Sequence, residues 1–66
     1  MTDISEILPK YNVNNIVMHR ESGRIFKIMQ VVWFPNYIIY ACVQLSSIFN
    51  LEFYKEEQII KLSELQ

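Results

Sequence analysis

From Ile28 to Leu51 the chain carries no charged side chain, a run of 24 residues. Such a run is long enough to cross a bilayer, which takes about 20 apolar residues as a helix. Its interior argues against that. Gln30, Pro35-Asn36, Gln44 and Ser46-Ser47 interrupt it, and the Pro-Asn pair sits where a turn belongs. A spanning helix wants a continuous apolar stretch, because nothing in the bilayer core satisfies stray polar groups. Two adjacent buried strands explain the run better, and no membrane association is expected.

The flanks extend this strand pattern. Ile16-Val17-Met18-His19 reads as a strand after a bend at Asn14-Asn15. Gly23, the only glycine, marks the turn that needs a positive φ. Arg24 to Trp33 is the longest strand candidate. Both of its faces are largely apolar, so it is either central or bent. After the turn at Phe34-Pro35-Asn36, residues Tyr37 to Leu45 alternate. Tyr37, Ile39, Ala41, Val43 and Leu45 are assigned to the core, and Ile38, Tyr40, Cys42 and Gln44 to the outside. Ser46-Ser47 turns the chain again. Leu51 to Tyr54 is a short strand with Leu51 and Phe53 inward. Lys55 to Gln58 makes one turn of 3₁₀ or α-helix, and Ile59 to Leu62 closes as a last strand. A helix from about Glu52 to Leu65 is the competing assignment, since Phe53 and Ile60 lie seven apart.

The expected fold is therefore all-β, a small five-stranded barrel filling residues 11–66. Residues 1–10 form an arm or a short helix. Asp3 can cap one helical turn over Ile4 to Leu8 that Pro9 ends. Alternatively Ile4, Ile7 and Leu8 tuck against the core.

The order of these elements resembles the SH3-like small barrels of the Tudor and KOW type, and the small barrel proteins of phages and mobile elements. The segments that carry the likeness are Tyr11–Val17, Ser22–Ile28 and Phe53–Leu62. The family's usual Gly-Asp after the opening valine is Asn14-Asn15 here. The resemblance implies a binding protein, because barrels of this kind mostly bind peptides, modified side chains, nucleic acids or each other. Fold alone does not choose among these.

Sixty-six residues make at most one domain. A chain of that size buries only about 60% of its unfolded surface. Small domains compensate with disulfides, a metal, a partner or a very apolar core. Cys42 is the only cysteine, so an internal disulfide is excluded. His19 is the only histidine, and one histidine with one distant cysteine is no ligand set. No metal or other cofactor is expected. The composition is 52% hydrophobic and 14% aromatic, so some apolar surface should remain outside and favour self-association. The missing cysteine pairs and the polar, acidic start suggest a reducing cytoplasm.

Catalysis finds no residues to carry it. Cys42 lies mid-strand among apolar neighbours, which raises a thiol's pKa and makes it structural. His19 reads as a surface histidine beside Arg20 and Glu21. Glu56-Glu57 are adjacent and cannot face each other across a substrate, so they read as a solvated turn. No Gly-rich loop is present to cradle phosphate. The protein is not expected to be an enzyme.

Two binding functions remain. The first is a non-catalytic protein-interaction module, homodimeric or engaging another protein, that uses Trp33, Phe34, Ile38, Tyr40 and Cys42. A phage-type inhibitor of a host or defence enzyme belongs to this class. The second is a barrel that binds RNA or single-stranded DNA through Arg20, Arg24 and Lys27, with Trp33 as a stacking platform. Charge disfavours the second. The net charge is −1, and the positive side chains are not clustered into a phosphate-binding footprint.

Overall fold

The structure, a computed structural model, describes residues 8–65. It contains five strands: β1 (Ile16–His19), β2 (Ile25–Trp33), β3 (Ile38–Gln44), β4 (Ser47–Lys55) and β5 (Ile59–Lys61). A 3₁₀ turn at Glu56–Gln58 separates β4 from β5, and another follows at Leu62–Glu64. All pairings are antiparallel, in the order β4-β3-β2-β1-β5. The all-β expectation holds, and so does the 3₁₀ turn before the last strand. The competing helix over Glu52–Leu65 is not formed. The barrel is seen only in part, because no ladder among the described residues joins the edge strands β4 and β5. The helical turn expected over Ile4 to Leu8 lies outside the described residues except for Leu8, which is 70% exposed and does not tuck against the core.

The open sheet nevertheless curls over its own inner face. The His19 ring on β1 lies 4.5 Å from the Tyr54 ring on β4, centroid to centroid. These strands are three places apart in the sheet, and flat strands at that spacing would be roughly 14 Å apart. The bend comes from a bulge at Met29, where the register passes from Ile28↔Cys42 to Gln30↔Ala41. An extra residue on one strand bends it and increases its local twist. This explains why β2 is apolar on both sides: it is both central and bent.

The concave side holds the core of Tyr11, Val17, Phe26, Ile28, Ile38, Tyr40, Cys42 and Ile59, with Val31 and Tyr54 packed against it. Seven of these, all but Ile38, are no more than 1% exposed. Each such side chain contributes about 1.5–3 kcal/mol by leaving water. Turn geometry frames the sheet. Gly23 has φ 75° and its N–H donates to the His19 carbonyl at 2.8 Å, which closes the β1–β2 connection. Asn14 also adopts a positive φ, 77°, inside a turn whose Asn15 N–H donates to the Asn12 carbonyl at 3.0 Å. Asparagine is the non-glycine residue best suited to that region. Gly23 is thus one of two such positions among the described residues, not the sole one.

The faces of β3 are the reverse of the alternation expected from sequence. Ile38, Tyr40 and Cys42 point into the core, at 4%, 0% and 0% exposure. Tyr37 and Leu45, assigned inward, are 42% and 51% exposed. Ala41 and Val43 are buried, yet stand apart from the core cluster on the opposite side of the sheet. The parity of β4 is reversed with it. Leu51 and Phe53 face outward at 53% and 60% exposure, while Glu52 and Tyr54 share the inner face with Cys42 and Tyr40. β4 is also longer than the short strand expected.

Candidate interaction surface

The register assembles the outer face row by row. Lys55, Ile39 and Val32 form one row across β4, β3 and β2. Phe53, Ala41 and Gln30 form the next, and Leu51, Val43, Lys27 and Ile16 the third. Apart from Gln30, Lys27 and Lys55, the side chains in these rows are apolar. Sheets with one face on a core normally show polar residues on the other. Here the second face is largely apolar as well, and Leu51 and Phe53 on it stand more than half exposed.

The β2–β3 connection adds an aromatic rim. Trp33, Phe34 and Tyr37 are 54%, 41% and 42% exposed. The Phe34 N–H donates to the Tyr37 carbonyl at 2.9 Å, and the two rings stack with centroids 4.9 Å apart. Beside this turn lies an open cavity of about 200 Å³, lined by Asn36, Tyr37, Ile38, Lys55, Glu56 and Glu57. Ligand pockets usually start at about 300 Å³. The Lys55 ammonium already sits 5.1 Å from the Tyr37 ring centroid, so that aromatic face has an internal cation.

Of the residues expected to bind protein, Trp33 and Phe34 are at the surface, while Ile38, Tyr40 and Cys42 are core. Tyr40 has a structural task. Its hydroxyl donates to Glu56 Oε2 at 2.8 Å and accepts the N–H groups of Lys10 (3.0 Å) and Tyr11 (3.2 Å). The Lys10 N–H also reaches Glu56 Oε2, at 2.9 Å. Glu56 is therefore the acceptor that ties the N-terminal arm to the 3₁₀ turn, not a solvated charge. Desolvation, aided by Glu56, pushes the Tyr40 phenol up to about 12. Burial, with Glu52 nearby, pushes the Cys42 thiol up to about 11, which keeps it protonated and unreactive at neutral pH. Tyr54, which donates to Glu52, is raised to about 12 by burial first and that carboxylate second.

The residues of the nucleic-acid reading are not brought together. Arg20 and Arg24 are exposed beside the β1–β2 turn, and Lys27 is half-buried on the outer face. Trp33 is at the other end of β2, six residues beyond Lys27 and nine beyond Arg24. At about 3.3 Å per residue these separations are roughly 20 and 30 Å. His19 is half-buried rather than on the surface. Its Nδ1 accepts the Ser22 N–H at 3.3 Å and lies 2.8 Å from Ser22 Oγ, so it serves the turn.

Among the described residues no cluster of His, Cys, Asp or Glu could hold a metal ion, and no helix is long and apolar enough to cross a membrane. Comparison with protein-family models, curated proteins and solved structures finds no match.

Proposed function

We propose that this chain is a non-catalytic protein-interaction module on an SH3-like plan. The order of the strands, the bent β2, the 3₁₀ turn and the return of β5 onto β1 support that plan. The observation that carries the interaction is the second apolar face. Leu51 and Phe53 crown a surface already packed with Ala41, Val43, Ile39 and Val32, and the Trp33-Phe34-Tyr37 rim extends it. Exposed apolar patches with aromatic anchors are the usual material of protein interfaces. RNA or single-stranded DNA is the weaker reading, because the stacking and phosphate-binding residues lie far apart.

A photo-crosslinking amino acid in place of Phe34, introduced in the native host, tests the proposal. The expected result is a discrete protein adduct, absent when the same group replaces exposed Glu21 on the opposite turn. Adducts with nucleic acid, or none, would count against it.

A further inference from the structure

β4 is an edge strand that no described residue pairs on its outer side. Edge strands present a row of unpaired N–H and C=O groups, and proteins normally blunt them with proline, bulges or inward charges. The regular part of this edge holds no proline and no bulge, and its one inward charge, Glu52, is met by the Tyr54 phenol. Between the register break at Val43/Gln44 and the 3₁₀ turn, residues Leu51 to Lys55 pair in unbroken order with Val43 to Ile39. The exposed backbone of such a strand needs another extended backbone, so its complement is a strand rather than a helix or a small molecule.

We infer that this edge pairs with the same edge of a second copy, antiparallel about a two-fold axis through Phe53. This deepens the interaction reading above and rests on it. Three constraints select the register. First, residues directly opposite in an antiparallel pair must share a face, which removes every alternate register. Second, centring on Glu52 would set its carboxylate against its own copy, and centring on Tyr54 would oppose Glu52 to Glu56. Like charges directly opposite are destabilising. Third, centring on Phe53 uses the whole regular stretch. Phe53 then faces Phe53, Leu51 faces Lys55, and Glu52 faces Tyr54, a phenol that already donates to Glu52 within its own chain. No like charges are opposed in that register. The outer faces of the two copies join into one continuous apolar surface, and the shared sheet has ten strands, five from each copy.

The seam is short. Five paired residues span about 17 Å, which places it at the small end of specific interfaces. The dimer should therefore dissociate on dilution. Sedimentation velocity over a broad concentration series should show a reversible monomer–dimer equilibrium. Phe53→Lys should make the chain monomeric with an unchanged circular dichroism spectrum, because Phe53 is 60% exposed and outside the core. Cysteine crosslinking reads the register independently of that variant. Phe53→Cys should oxidise to a covalent dimer. A mixture of Leu51→Cys and Lys55→Cys chains should form the heterodimer, while Leu51→Cys alone should not crosslink. A monomer at every concentration overturns the inference, as does a dimer that survives Phe53→Lys or crosslinks equally well through Leu51→Cys alone. A discrete adduct at position 34 together with a strict monomer would leave the interaction proposal standing without the dimer. A dimer with no adduct from position 34 would do the reverse for the aromatic rim.

Discussion

Three residues, one in the core and two in exposed turns, would be misjudged by residue type alone. Tyr40 has a polar tip that in solution would face water, yet its ring is fully buried because Glu56 and two backbone N–H groups satisfy the hydroxyl. Tyr40→Phe should therefore cost about 1–3 kcal/mol in chemical denaturation, since it takes the acceptor from the buried Tyr11 N–H and the phenol donor from Glu56. Gly23 and Asn14 share a positive φ but not their tolerance of change. A methyl group at Gly23 would meet nothing within 4 Å, so Gly23→Ala should cost only the conformational term, about 1–2 kcal/mol. Asn14→Gly should be neutral or slightly stabilising by comparison, as glycine adopts that region freely. Thermal unfolding of the two variants side by side checks the pair.

At the level of elements, β2 and β4 decide what the sheet can do. The Met29 bulge moves Val31 to the inner face, where it packs on the core, and sends Gln30 and Val32 outward. Alternation read through that point without the bulge puts the second half of the strand on the wrong side. The bounds of β1, β2 and β3, the turns at Gly23 and Pro35-Asn36, and the 3₁₀ turn were legible, because glycine, proline and charge mark them in the sequence, whereas β4 begins earlier than expected. The facing of β3 was not. Every second residue from Ile38 to Val43 is apolar on either count, so a period of two gives no preference. Leu51 and Phe53 followed the same error. In principle Glu52 offered a signal, but an inward Glu52 reads as favourable only once Tyr54 is known to donate to it.

At the scale of the whole molecule, three titratable groups share one sign. Tyr40 and Tyr54 are raised from 10.0 to about 12 and Cys42 from 9.0 to about 11, each mainly by burial. Folding thus favours their protonated forms. That contribution is fully present below the unfolded pKa values and is lost as pH rises through the folded ones. The denaturation midpoint should fall steadily between about pH 9 and 12, in step with tyrosinate absorbance near the unfolding transition. Tyr40→Phe should remove part of that dependence. The outer face sets the other molecular property. A chain of 66 residues that fills one core and still carries a second apolar face gains by covering it.

The run from Ile28 to Leu51, by itself, determined that this protein is built of strands and turns. It is too interrupted for a helix, and no charge within it marks one side as wet. The sequence also settled where the turns fall, through its single glycine and its Pro-Asn pair. Only the tertiary structure decided which side of the sheet became the core. That choice depends on the curl produced at Met29, and on Tyr11, Tyr54 and Glu56 closing over one face from distant points in the chain. Local periodicity cannot contain such information when both faces are apolar. The side left uncovered, with Phe53 and Leu51 at its edge, is the surface on which the proposed interaction rests.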